Sequence, residues 1–182
     1  MDIANLLKRI VDGDRDAFAE VVETFQRPLF GFLGRMVLPK AVAVEIAQET
    51  FLRAWRNLGQ YQTGRAEFST WLFSIARNLA LNELTRASNN DAATAQDAGA
   101  MSGSASSEPL HQLVRSQMNI QLQNALLRLP LPERTTLALA CVRELPLAEI
   151  AVLEGTTVGA IKTRLHRTKA KLRQWLEVSD DE

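Results

Sequence analysis

The sequence predicts an all-α protein. Two small helical domains, residues 1–87 and 109–182, are joined by a flexible linker at 88–108, and the second domain ends in a helix-turn-helix. Three observations predict this. Apolar residues recur at three- and four-residue steps on both sides of the middle of the chain, and no run alternates at the two-residue period of a strand. Residues 88–108, SNNDAATAQDAGAMSGSASSE, hold no aromatic residue and no aliphatic one larger than Met101. They bury too little surface to offset the entropy of ordering, so they read as linker, with Asp91, Asp97 and Glu108 as the only charges. Finally, Leu145 to Trp175 gives a short apolar helix, a glycine and a long basic helix.

In chain order, Ile3, Leu6, Leu7 and Ile10 form one face of a short helix that ends near Gly13. Asp14 is placed to cap a longer helix whose apolar side is Phe18, Val21, Val22, Phe25, Leu29, Phe32, Leu33 and Met36. Pro28 lies within that pattern and predicts a kink or a split, and Pro39 marks the next break. From Ala41 to Leu58 a helix points Val44, Ala47, Phe51, Ala54, Trp55 and Leu58 at a core. Its outward side is Glu45, Gln48, Glu49, Leu52, Arg53 and Arg56. Gly59 to Glu67 reads as a loop, turned at Gly64. Ser69 or Thr70 caps a helix running to about Arg86, apolar at Trp71, Leu72, Ile75, Leu79 and Leu84 and polar at Arg77, Asn78 and Asn82.

Beyond the linker, Leu110 to Leu129 is helical, and Leu129-Pro130-Leu131-Pro132-Glu133 stops one helix and starts another. Thr135 to Arg143 follows, with Leu137, Leu139 and Cys141 inward, so the thiol reads as buried. Pro146 suits a first helical turn, and Leu147, Ile150, Ala151 and Leu153 recur behind it. Gly155 fits a left-handed C-cap, and Thr156 or Thr157 caps the last helix. That helix buries Val158, Ile161, Leu165 and Leu172.

The remaining faces of the last helix suggest chemistry. Lys162, Arg164, Arg167, Lys169, Lys171 and Arg173 lie between Glu154 and Glu177 with no acid among them. At about 100° per residue, Thr163, His166, Arg167 and Ala170 sit opposite the buried stripe, flanked by Lys162 and Arg173 on one side and Arg164 and Lys171 on the other. Small and polar residues between cationic rims suit a helix in a DNA major groove, where the middle reads base edges and the rims hold phosphates. A solvated basic face would carry the same charges. The preceding short helix and the glycine turn favour DNA.

Composition agrees once charge is located. The 182 residues hold 21 basic and 21 acidic side chains, a net charge of zero, but they are segregated: the run to Trp175 is basic and Asp180, Asp181 and Glu182 are acidic. The single Cys141 excludes an internal disulfide and fits a reducing, cytoplasmic setting. No signal-peptide pattern and no apolar run of membrane-spanning length is present, so no membrane insertion is expected. His111 and His166 are far apart and lack ligands at metal spacing, and no glycine-rich phosphate loop occurs. The carboxylates of Asp12–Asp16 read as helix caps. We therefore expect no catalytic residue, no metal and no cofactor.

The residues then carry a resemblance. Gln48-Glu49-Thr50-Phe51-Leu52-Arg53-Ala54-Trp55 resembles the core-polymerase-binding segment of bacterial sigma-70 factors. Phe68 to Leu72 with Ile75-Ala76-Arg77-Asn78 resembles their −10 reader, and Leu129-Pro130, Glu149-Ile150-Ala151 and Ile161 to Arg167 resemble their −35 reader. The motifs occur in order, and the lack of anything but a linker between the domains is similar to the extracytoplasmic-function (ECF) group. Two positions depart from the pattern: Val44-Glu45 replaces an acidic pair, and Ala160-Ile161 replaces Thr-Val.

The resemblance implies a non-enzymatic factor that binds core RNA polymerase, through its β and β′ subunits, and promoter DNA, under an anti-sigma factor. It implies polymerase docking at Glu45, Gln48, Glu49, Leu52, Arg53 and Arg56. It implies −10 contacts at Tyr61, Arg65, Phe68, Trp71, Arg77 and Asn78, and −35 contacts at Lys162, Thr163, Arg164, His166, Arg167 and Lys171. Promoter opening needs bases to leave the stack, at a cost of a few kcal/mol that aromatic stacking offsets. Tyr61, Phe68 and Trp71 are the aromatics near the loop, although Phe68 and Trp71 also suit core packing. A helix-turn-helix regulator working without polymerase is the alternative.

Overall fold

The computed structural model describes residues 3–61, 66–94, 120–142 and 145–177, with 90–94 as backbone only. Every regular element among them is a helix: α1 Ile3–Val11, α2 Ala17–Arg35, α3 Lys40–Arg56, a 3₁₀ turn Leu58–Gln60, α4 Phe68–Thr94, α5 Ile120–Leu127, α6 Leu131–Ala140, α7 Leu147–Leu153 and α8 Val158–Glu177. None is long and apolar enough to cross a membrane.

The first unit packs α1 on α2, α2 on α3 and α3 on α4. Its centre is Phe25, Leu29, Phe32 and Leu33 of α2 against Phe68, Leu72, Phe73 and Ala76 of α4, with Phe32 edge-on to Phe73 at 5.8 Å. Asp14 caps α2, its Oδ1 accepting from the Ala17 N–H at 3.2 Å. The same carboxylate accepts from Arg9, which also bonds Glu20, and this ties α1 to α2. The guanidinium of Arg9 is the chief reason the Asp14 carboxyl is held below the usual carboxylate range. Pro28 does not split α2, which runs unbroken past it. The helix ends instead at Met36, with Val37 in the left-handed region at φ +56°, a strained position for a β-branched residue, and its N–H bonds the Gly34 carbonyl.

Helix α4 begins at Phe68, so Ser69 and Thr70 lie within its first turn instead of capping it; the Glu67 carbonyl accepts from the Trp71 N–H. It continues to Thr94, past the expected end near Arg86, so 88–94, read as the start of the linker, are helical. The rest of that linker, His111 and the expected start of the following helix at Leu110 lie outside the described residues.

The second unit wraps α5, α6 and α7 around α8. Helix α6 starts at Leu131, earlier than expected, because Pro130 and Pro132 both suit a helix start. It ends at Ala140, which leaves Cys141 at the cap position and exposed, not buried. Arg128 lies 4.5 Å over the Trp175 ring and fastens the far end of α8 to the residue after α5. The two units touch: α6 packs on α2 and α7 on α4, and the buried residues of both form one continuous cluster.

Candidate nucleic-acid interface

Helix α7 and helix α8 form the expected helix-turn-helix. Pro146 precedes α7 at the cap position, and the chain turns at Gly155, φ +61°, where only glycine adopts the left-handed backbone freely. The Thr157 hydroxyl accepts from the Ala160 N–H at 3.2 Å and so caps α8. The buried stripe of α8 is Ile161, Leu165, Thr168 and Leu172; Thr168 takes a place the apolar pattern missed, while Val158 is exposed. The opposite side presents Lys162, Thr163, His166, Arg167, Lys169, Ala170 and Arg173 to solvent, as the angular reading required.

Two cations expected at the DNA rim have protein partners. Arg164 pairs with Glu154, the residue that ends α7, and its Nη1 donates to the Thr136 hydroxyl at 2.9 Å. Thr136 in turn donates to the Glu154 carboxylate at 2.7 Å. Arg164, Glu154 and Thr136 thus knot α6, α7 and α8 together. Lys171 bonds the Glu133 carboxylate at 2.8 Å, tying α8 to the start of α6. The flank of α8 bearing Arg164 and Lys171 faces α6, which explains both pairings. Glu133 and Glu154 were missed in the sequence. Glu154 borders the acid-free run of cations, a signal that could have pointed to it, whereas Glu133 lies 38 residues before Lys171 and carries no local signal.

In the first unit Tyr61, Phe68 and Trp71 form a triangle with ring centroids 5.4 to 5.6 Å apart. Phe68 is only 2% exposed and also packs on Phe25, so it is a core residue that props the other two rings and is not free to meet a base. The Tyr61 hydroxyl donates to the Ala66 carbonyl at 2.9 Å. Burial, then the charges of Glu67 and Glu149, push the Tyr61 phenol up, which keeps it neutral. Arg77 donates to the Asn78 side-chain carbonyl at 3.3 Å, and Asn78 is exposed. Arg65 lies outside the described residues. Tyr61 and Trp71 line a cavity of about 340 Å³ together with Gln60, Ala66, Thr70 and Ser74. The Thr70 hydroxyl is buried without a hydrogen-bond partner among the described residues.

On α3, Glu45, Gln48, Leu52, Arg53 and Arg56 are exposed, Leu52 at 40%, and Glu49 is half-buried. Arg53 holds Glu49 through an Nε–Oε1 contact of 2.6 Å. The buried side is Ala43, Ile46, Ala47, Thr50 and Ala54, with Val44, Phe51 and Trp55 partly covered. Among the described residues no group of three His, Cys, Asp or Glu side chains gathers as a metal site.

Comparison with known proteins follows the same division. Residues 21–90 match the family model described as Sigma-70 region 2, and 119–172 match Sigma-70, region 4. The chain is 32% identical over 183 aligned residues to the ECF RNA polymerase sigma factor SigW of Bacillus subtilis, covering 97% of each. It is 30% identical to the RNA polymerase sigma-H factor of Pseudomonas aeruginosa, covering 94% of this chain and 92% of that one. Among solved structures, the sigma factor RpoE in complex with the anti-sigma factor NepR from Bartonella quintana superposes with a TM-score of 0.70 at 18% identity, covering 88% of this chain and 97% of that one. CnrH in complex with the cytosolic domain of CnrY gives 0.69 at 22%, covering 95% and 96%. These two likenesses concern the fold.

Proposed function

The chain belongs to the ECF group of sigma-70 RNA polymerase sigma factors, and from that premise we propose that it binds core RNA polymerase and directs transcription initiation at promoters it recognises through −35 and −10 elements. The observation that carries the reading is the exposed face of α8, polar in the middle and cationic at the edges, on a helix whose angle is fixed by the Arg164–Glu154–Thr136 knot. Lys162, Thr163, His166 and Arg167 meet base edges at −35. Lys169 and Arg173 serve phosphates, while Arg164 and Lys171 hold the reader in shape.

At −10, Tyr61 and Trp71 receive an extruded base, Phe68 supports them, Asn78 reads an edge, and Arg77 with Arg65 meets the backbone. The outward side of α3 docks on the polymerase β′ and β subunits; its polar stripe around Leu52 is exposed among the described residues, while the opposite side is packed. An anti-sigma factor is the natural inhibitor, since the structurally similar RpoE of Bartonella quintana was solved in complex with one. The working compartment is then the cytoplasm, where polymerase acts.

The test is run-off transcription with purified core polymerase. Gln48→Ala with Glu49→Ala is expected to weaken core affinity about tenfold or more and to leave thermal stability nearly unchanged, because neither side chain is in the core. A double variant that competes for core as well as the wild type would sink the α3 assignment. Sequence-specific DNA binding with no response to core polymerase would favour a regulator acting alone.

A further inference from the structure

We propose that Gly159 sets how deeply α8 enters the major groove: the first turn of the helix lies against the −35 base pairs at backbone distance, and the missing side chain is space kept for DNA. The proposal rests on the reading of α8 as the −35 helix.

Gly155 and Gly159 both belong to the helix-turn-helix, but the fold explains only the first. Gly155 has φ +61°, a conformation that residues with side chains rarely adopt. Gly159 lies inside α8, without a positive φ, and is exposed. A Cβ built on it would meet only the Thr157 hydroxyl, at 3.9 Å, which is an ordinary contact. Gly34 and Gly59 have open space too, but they stand at the end of α2 and in the 3₁₀ turn, where glycine is common. Within a helix glycine is the least favourable residue after proline. Helix stability at 159 is therefore lower than alanine would make it, and no contact among the described residues accounts for this.

The place of Gly159 on the helix supplies the reason. At about 100° per residue it falls within about 40° of Thr163, His166 and Ala170, the middle of the open side, and about 150° from the buried stripe. A helix in the major groove meets base edges chiefly with its N-terminal residues. Gly159, in the first turn, is then the point of α8 nearest the groove floor. Thr163, His166 and Ala170 follow along the same line, and the longer Lys162, Arg167 and Arg173 reach around it. A side chain at 159 would hold the helix off the floor by roughly 1–2 Å, a distance over which hydrogen bonds from Thr163 and Arg167 to base edges are lost. Contacts to phosphates by the flexible lysines would survive such a shift, so the loss falls on sequence reading.

The experiment uses the full chain assembled with core RNA polymerase and two duplexes. One carries the −35 sequence that the wild type selects from a randomised pool, and the other has that sequence scrambled. The variants are Gly159→Ala and Gly159→Leu, because both residues favour a helix and a Cβ has room at 159. Gly159→Ala is expected to raise the Tm of the free chain by about 1–4 °C and to weaken binding of the selected duplex about tenfold. Gly159→Leu is expected to weaken it about a hundredfold. Affinity for core polymerase, affinity for the scrambled duplex and the salt slope are expected to match the wild type, since no phosphate contact is removed. A Tm that falls in the alanine variant would make glycine a requirement of the fold. Gly159→Leu binding the selected duplex as tightly as the wild type would mean that no DNA stands there. Weakened core affinity with discrimination intact would give the position to the polymerase, and each of these three results overturns the proposal. Arg167→Ala, run alongside, separates the inference from its premise. If it loses discrimination while the glycine variants keep theirs, the −35 reading stands and the close approach fails; if all three keep it, the −35 reading itself fails.

Discussion

At the scale of the residue, Arg164 shows how a charge pattern can be placed correctly while the partner that engages it goes unseen. Its angular position on the last helix follows from helix geometry alone, so it was legible in the sequence. Its partner was not, because Glu154 reaches it only once α6, α7 and α8 have packed. The Glu154 side chain is 5% exposed, and a buried carboxylate stripped of its cation is costly. Arg164→Ala is therefore expected to destabilise the chain by about 2–4 kcal/mol, discounted for the partial exposure of the arginine. Denaturant unfolding measures this, and Arg164→Met combined with Glu154→Gln is expected to recover most of the loss. A variant of wild-type stability whose only defect is weaker DNA binding would return Arg164 to the phosphate rim. Phe68 was open for a similar reason: an aromatic at the head of a helix beside a loop serves a base or a core equally well, and only its packing on Phe25 decides.

At the scale of the element, helices with local signals were legible and their ends less so. Gly155 and Thr157 marked the turn between α7 and α8 because the backbone there needs those residue types. The end of α2 carries no such mark: the left-handed position falls to Val37, and neighbouring core contacts hold it there. Cys141 was misplaced because α6 stops just before it, and the helical period beyond Ala140 no longer predicts burial. The corner between α1 and α2 gives a pH test. Asp14 is held below the usual carboxylate range by Arg9, so its contribution to stability is present above the ordinary Asp value of about 3.9 and is lost as pH falls through its lower folded value. Asn caps a helix about as well as Asp, so Asp14→Asn removes the charge and spares the cap. We expect a lower Tm at neutral pH, with the deficit closing as the pH drops below about 4. A deficit that persists into acid would mean that the charge of Asp14 is not the source of its contribution.

At the scale of the whole molecule, zero net charge conceals a reader of one sign. With Arg164 and Lys171 engaged by the protein, the cations on the open side of α8 that have no ion-pair partner among the described residues are Lys162, Arg167, Lys169 and Arg173. Affinity for −35 DNA should then follow this face and not the overall charge. Lys169→Ala is expected to weaken all sequences alike and to lower the salt slope by about one. Arg167→Ala should cost roughly 1–3 kcal/mol and relax preference at one position, as loss of a bidentate guanine contact does. Binding selections on randomised −35 DNA at two salt concentrations check both, and a sequence logo that shifts for Lys169→Ala but not for Arg167→Ala would reverse the assignment. The two-unit plan was legible because each unit has its own apolar periodicity. The meeting of α7 with α4 was not, since neither helix advertises the other in its sequence.

The three tryptophans of the chain are distributed in a way that makes the protein its own optical instrument. Trp55 is edge-on to Phe18 at 4.9 Å inside the first unit, Trp175 lies under the Arg128 guanidinium in the second, and Trp71 borders the cavity that Val152 and Leu153 of α7 also line. One native fluorophore thus watches each unit and a third watches the seam between them. With Trp55 and Trp175 replaced by phenylalanine, the emission that remains comes from the seam alone, so the arrival of a nucleotide there can be timed in solution with no dye attached.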